Sequence, residues 1–462
     1  MKVVYEHVEP LVPNALHHKI LDYILNEKGG YYDDSEPKVW ELFGEGWHTY
    51  NSSFRDWYEP ITLENIKKSD KWIYPIEIYG DWSLTLGNTK DKNSMYHDWN
   101  FFDEIPKETI KKLKTTKGCI FITNVHEGFI PMKFFSCIHK ICKKNEFPPS
   151  KIIIMVSGNY NVNTQYDYWI NKNKEKEKCT FLNYHYFLYD KGHEYSVGIE
   201  MHENQDKPMG ISSVTEKDYE EFKNKDRPKK FLCFNRRMRP HRAMLVSEFV
   251  KHNLLDENLI SFQFNLDNDF RFSNRLDDYW SDYKEIYPRR DSYNKRLKPY
   301  LEKVIKIGKQ MVDHNDLSEI SGFRYDIKKP FCDTYYSVVT ETNFFWWSDY
   351  ITEKTWKCIG NYHPFIIFGR PNSLSEIRDL GFKTFHPYID ESYVKVDSNS
   401  KRYKMIIDEI LRLNSMSVSE LTEWYSNMDD ILVHNKKLFL KLGTQRHKKM
   451  DDFFKRVEEC IK

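Results

Sequence analysis

One stretch of the sequence holds an unusual concentration of groups able to do chemistry: Ser348–Gly360, reading SDYITEKTWKCIG, set between two apolar runs. Thr352 is well placed to cap a helix. Glu353 then falls in the first turn, near the positive end of the helix dipole, with Lys354 beside it. A helix start with free N–H groups and an adjacent lysine suits a diphosphate. The same residues also make an ordinary cap followed by a surface lysine, and spacing alone leaves both readings open. A second pattern, Asp267-Asn268-Asp269, puts two carboxylates at alternate positions, as a hard divalent cation prefers. Short strings of this kind arise by chance in acidic loops, and this one sits in an aperiodic stretch, so no metal site is expected. Nothing matches a P-loop or a G-x-G-x-x-G fingerprint.

The elements that must position these residues follow from the apolar pattern. In the first half, Trp72–Tyr79, Cys119–Thr123, Lys151–Val156 and Thr180–Leu188 read as strands. The middle two are almost wholly apolar, as strands buried on both faces of a parallel sheet should be. Asp103–Leu113 and Pro131–Lys144 are predicted helices between them. Alternating strands and helices argue for an open α/β domain. The charged stretch Val214–Lys230 reads as the approach to a domain boundary. Beyond it the pattern restarts: strand Phe231–Asn235, tight connection Arg236–His241, helix Arg242–His252, strand Leu259–Phe264. Lys298–Val312 is a predicted helix. Tyr335–Thr340 and Pro364–Gly369 are strands flanking a helix that starts near Thr352. The tail is helical: Arg402–Leu413, then one long helix opened by a capping box at Ser417 and Glu420 and running through Leu432, then Met450–Ile461.

Bulk properties narrow the class. A chain of 462 residues fits two domains. With a formal charge of +1, no global field draws it to nucleic acid or to an acidic membrane. The 8 cysteines are scattered without zinc spacing and read as reduced structural thiols. Neither a signal-peptide core nor a bilayer-spanning run is seen, so the expected location is cytoplasmic (host cytoplasm for a viral chain), with no membrane partner.

The segment Val339–Asn343 (VTETN) followed by Asp349–Lys354 (DYITEK) and an apolar helix and strand ending at Phe368-Gly369 resembles the donor domain of the fucosyltransferase family and related viral and phage glycosyltransferases. These carry an F-E-N-S-like segment and then D-Y-x-T-E-K. The resemblance covers roughly residues 230–440 and is sharp only between Tyr336 and Phe385; Pro371–Phe385 looks most like the viral and phage members. It implies a GT-B fold, two Rossmann-like domains facing across a cleft, with C-terminal helices. It also implies a nucleotide-sugar site at Tyr350, Thr352, Glu353 and Lys354, with Glu341 and Asn343 as further contacts. An arginine just after the first donor-domain strand is another family element, and Arg242 matches it; its planar fork suits two phosphate oxygens. The family's asparagine after the first glutamate is Thr342 here, and the first half carries no fucosyltransferase signature, so neither fucose nor GDP follows.

Glycosyl transfer then assigns tasks. Negative charge growing on a departing nucleoside diphosphate is met by Arg242, Lys354 and the helix start, with no metal required. A carboxylate near the sugar ring helps, and Glu353 or Glu341 suits that role. An inverting reaction needs a general base from the N-terminal domain. The candidate is Glu127 in Asn124–Phe129 (NVHEGF), just past a buried strand, with His126 second and Asp81 in reserve. The family's own base lies in a segment resembling Val156–Tyr160 (VSGNY), where no carboxylate occurs. The expected organisation is an acceptor-binding domain over residues 1–225, a nucleotide-sugar domain over 226–440, and a C-terminal helix within 441–462 packing back on the first domain. The donor is a UDP- or GDP-sugar, no further cofactor is needed, and the acceptor is a glycan or other hydroxyl. Two alternatives remain: a phage-type transferase acting on hydroxymethylated DNA bases, and a non-catalytic carbohydrate-binding protein on a transferase scaffold.

Overall fold

The structure, a computed structural model, describes residues 1–5, 59–77, 101–124, 132–158, 162–185, 187–189, 192, 195–196, 213–235, 239–262, 283–310, 312, 328–342, 344–345 and 351–462. Over these residues the chain is α/β with two parallel sheets. It divides into two compact units, one from Met1–Tyr186 with Gln445–Lys462, the other from Phe187–Trp347 with Ile351–Thr444.

The first unit holds a six-stranded sheet in the order β2-β1-β3-β4-β5-β6. Its strands are β1 (Lys2–Tyr5), β2 (Glu59–Thr62), β3 (Trp72–Glu77), β4 (Gly118–Asn124), β5 (Ile152–Ser157) and β6 (Thr180–Tyr184), and every pairing is parallel. β4 and β5 are apolar over most of their length because each face has its own cover. Ile120, Ile122, Ile152 and Ile154 share a core with Phe134, Phe135, Tyr166 and Trp169 from the helices Met132–Lys144 and Val162–Asn173. On alternate positions Phe121 meets Phe453 and Phe454 of the helix Arg446–Cys460, with ring centroids 6.4 and 5.8 Å apart, and Tyr184 meets Phe453 at 5.6 Å. β1 and β2 are additions to the strands expected from sequence. β2 contains Pro60, which cannot donate to a ladder, and the strand accordingly lies at the sheet edge.

The second unit holds a four-stranded parallel sheet in the order β10-β9-β7-β8. Its strands are β7 (Lys229–Phe234), β8 (Leu259–Ser261), β9 (Thr334–Thr340) and β10 (Phe365–Phe368). β9 is buried along its whole length, which its run TYYSVVT tolerates because the hydroxyls find partners: Thr334 and Ser337 both bond His363. With β7 and β9 adjacent at the centre, the residues that leave their carboxyl ends emerge side by side. The helices Pro240–Lys251 and Glu353–Gly360 begin just beyond those ends.

Two stretches differ from expectation. Val214–Lys230 lies wholly within the second unit, where Thr215 caps the helix Glu216–Phe222 through a capping box and Tyr219 stacks on Tyr362 at 4.3 Å. The long helix expected from Ser417 breaks after Ser426 and restarts as Asp429–Thr444. The Ser426 hydroxyl donates to the carbonyls of Thr422 and Lys223, and Asp429 and Asp430 occupy the new first turn, where the dipole favours acids. All eight cysteines are free. Among the described residues no helix is long and apolar enough to cross a membrane.

Candidate functional site

The site builds outward from the end of β9. Glu341 follows the strand directly and is only 3% exposed. Its carboxylate is spoken for: Oε2 accepts from the Thr352 hydroxyl at 2.6 Å, and Oε1 accepts from the Thr355 hydroxyl at 2.6 Å and the Thr352 N–H at 3.3 Å. Three donors onto one buried carboxylate offset its desolvation. The sequence placed Glu341 among the donor contacts; the structure turns it inward, where it fixes the start of the helix Glu353–Gly360.

Thr352 is the N-cap of that helix, and its oxygen accepts from the Lys354 N–H at 3.4 Å. The Lys354 ammonium folds back over the same turn, donating to Thr352 Oγ1 at 3.1 Å and to Glu353 Oε1 at 2.9 Å. Lys354 and Glu353 keep 25% and 19% of their side-chain surface in solvent, so this pair is the part of the cluster open to a ligand. Burial works to raise the Glu353 pKa, but the charges of Lys354 and Lys357 and the hydrogen bond from Lys354 prevail and hold it at about 2.

The second arm comes from β7. Pro240 starts the next helix at a position where its missing N–H costs nothing, so Arg239, His241 and Arg242 all stand around the helix mouth. Arg242 is 4% exposed and donates from Nη2 to the Thr340 carbonyl at 3.4 Å. Arg239 donates to the Thr342 carbonyl at 3.1 Å, and His241 Nε2 donates to the Glu341 carbonyl at 2.9 Å. Between the arms, Asn235 at the end of β7 accepts from the Thr340 hydroxyl at 2.6 Å. Burial first, then the positive charges of Arg242, Arg239 and Lys354, push the His241 pKa well below the usual imidazole value. Arg242, His241 and Arg239 thus bond the successive carbonyls of Thr340, Glu341 and Thr342, while the Glu341 carboxylate holds the helix start that carries Lys354, all at the carboxyl ends of β7 and β9. That is where open parallel sheets bind their ligands.

Of the residues singled out from sequence, the structure brings Glu341, Thr352, Glu353 and Lys354 into one hydrogen-bonded cluster and sets Arg242 one residue away, on Thr340. Asp81, His126, Glu127, Asn343 and Tyr350 lie outside the described residues, as do Asp267 and Asp269. Among the described residues no group of three or more His, Cys, Asp or Glu side chains could hold a metal ion. Sequence reasoning missed Arg239, His241 and Asn235. The basic run Arg236–His241 after a buried strand carried a signal for the first two, while Asn235 looked like a strand end. It also missed Arg402, fully buried, which donates to the carbonyls of Gly369 at 3.1 Å and Phe344 at 2.8 Å and so ties the end of β10 to the segment after β9. Comparison with protein-family models and with curated proteins finds no match to the chain.

Proposed function

We propose that the chain is a glycosyltransferase of the GT-B type that takes a nucleotide-sugar donor in its second unit. The observation that carries this is the Glu341-braced helix start, with Lys354 partly exposed on it and Arg242 and Arg239 bonded to the Thr340 and Thr342 carbonyls on either side of Glu341. Backbone N–H groups of a first turn and converging cations suit the diphosphate of a leaving nucleotide, whose charge grows as the glycosidic bond breaks. Lys354 is held by Glu353 and Thr352 and turns to the phosphate when the donor enters. Glu353, ionised down to low pH, faces the sugar or ribose side. Cations from side chains make a bound metal unnecessary, and the transfer inverts the anomeric centre by direct displacement. The acceptor hydroxyl is deprotonated by a general base, for which Glu127, His126 and Asp81 are the candidates read from the sequence.

Support comes from two directions: the resemblance of DYITEK to the fucosyltransferase-like donor motif, and the attachment of its threonine, glutamate and lysine to the end of β9, where Arg242 also bonds the Thr340 carbonyl. A thermal-shift and calorimetric screen over UDP-, GDP-, CMP- and ADP-sugars tests it, since a ligand bound only by the folded state raises the melting temperature by mass action. One sugar nucleotide should stabilise the chain. Lys354→Ala and Arg242→Ala should each weaken its binding by about 1.5–3 kcal/mol, as expected for hydrogen bonds to charged groups. Unchanged affinity in both variants would remove the donor-site assignment.

A further inference from the structure

The helix that carries Lys354 is only eight residues long, about 12 Å, so what holds its far end also sets its near end. At that far end stands Lys436, from the helix Asp429–Thr444. It is 2% exposed, and its Nζ donates to the carbonyl of Gly360, the last helical residue. The ammonium lies 5.4 Å from the Tyr195 ring centroid and 5.5 Å from that of Tyr362. Among the described residues no carboxylate forms an ion pair with it, and burial alone pushes its pKa down to about 7.

A buried lysine without a carboxylate is costly. For folding alone, a methionine of similar volume would lose the bond to the Gly360 carbonyl but would also shed the cost of burying the ammonium. What the lysine adds is a hydrogen-bond donor at the carbonyl end of one particular helix. The surroundings keep this contact in register. Trp356 of the helix stacks on Phe439 of the Lys436 helix, with centroids 6.2 Å apart and planes 8° from parallel. A Cβ at Gly360 would fall 2.5 Å from the Tyr195 ring and 3.1 Å from the Phe439 ring, so the end of the helix is packed as tightly as glycine permits, chiefly against Tyr195. Asn361, the next residue, accepts from the Val214 N–H at 2.9 Å and donates to the Tyr195 hydroxyl at 3.2 Å. The helix is therefore braced at its start by Glu341 and at its end by Lys436.

We infer that Lys436 is a positioning residue for the donor site: by gripping the Gly360 carbonyl it sets the axial placement of the helix, and through it the first-turn N–H groups and Lys354, against the nucleotide diphosphate. This rests on the donor-site assignment proposed above.

Titration calorimetry on the full chain with UDP, GDP, ADP and CMP tests both and keeps them apart. Lys436→Met should keep or raise the melting temperature yet bind the preferred nucleotide roughly tenfold more weakly, a loss in the range that small misplacements of binding groups produce. Gly360→Ala, which pushes the end of the helix away from Tyr195 and Phe439 without touching a charge, should weaken binding in the same direction. If Lys436→Met does not fold, Lys436→Gln, which keeps an uncharged donor, takes its place. Folded Lys436 and Gly360 variants that bind as wild type, while Lys354→Ala does not, would overturn the positioning role and leave the donor site standing. A wild-type chain that binds none of the four nucleotides would overturn the donor site, and the positioning role with it.

Discussion

Glu341 and Glu353 both bond residues of the same helix start, yet their carboxylates have opposite duties. Glu341 is inside, with both oxygens committed to Thr352 and Thr355. Removing it strands two hydroxyls and an N–H in the interior, so Glu341→Ala should cost about 3 kcal/mol in urea unfolding, against about 1 kcal/mol for Glu341→Gln, which keeps an acceptor oxygen. Equal stability of wild type and the alanine variant would mean that the helix start is held by something else. Glu353 stands at the surface of the cluster beside Lys354, with its folded pKa near 2 against an ordinary 4.5. A depressed carboxyl pKa contributes stability that is complete above the unfolded value and drains away as the pH falls through the folded one. The stability gap between wild type and Glu353→Gln should therefore shrink as the pH is lowered from about 6 to about 3. A gap that stays constant over that range would show that the Glu353–Lys354 pair adds nothing to the fold.

For the elements, the decisive feature is the cap. Thr352 both receives the Lys354 N–H and donates to Glu341, so one hydroxyl joins the helix to the strand before it. Thr352→Ala should cost about 1–2 kcal/mol, the range for losing an N-cap, and lower sugar-nucleotide affinity as well. Thr352→Ser, which keeps the oxygen, should restore both in the same calorimetric titration. An alanine variant with native affinity would separate the cap from the ligand site. The cap was legible in the sequence because it is local: a threonine, an acid and an apolar helix face fall within a few residues of each other. The strands β4, β5, β7, β9 and β10 were legible because burial on both faces leaves continuous apolar runs. What stayed hidden was short or long-range. β1 has four residues and β2 contains a proline, so neither shows a period. At the helix break, Ser426 reaches the Lys223 carbonyl, a partner far away in the chain that no local pattern announces. Glu341 looked like a ligand contact because nothing local announces that Thr352 and Thr355 fold back onto it.

For the whole molecule, the path of the chain carries a consequence for cooperativity. The last helix, Arg446–Cys460, follows a segment of the second unit but belongs to the first, where Met450, Phe453, Phe454, Val457 and Ile461 are all buried. At about 1.5–3 kcal/mol for each buried side chain, these five contribute roughly 8–15 kcal/mol of apolar burial, an upper bound that assumes a fully extended unfolded chain. That is as large as the whole net stability of a typical domain, about 5–15 kcal/mol. Phe121 and Tyr184 would lose the rings that cover their face of the sheet. Ending the chain after Thr444 should therefore unfold or loosen the first unit selectively. In hydrogen exchange, amides of Cys119–Ile122 and Ile153–Met155 should lose their protection, while those of Phe231–Cys233 and Tyr335–Val339 keep it. The second unit retains its own core, including Phe439 against Trp356 and Arg402 across the end of β10, and none of these contacts involves the deleted residues. If both sheets lost protection together, the two units would fold as one cooperative body, and the nucleotide site would need the last helix to form. If neither did, the burial of those five side chains would contribute far less than their area implies.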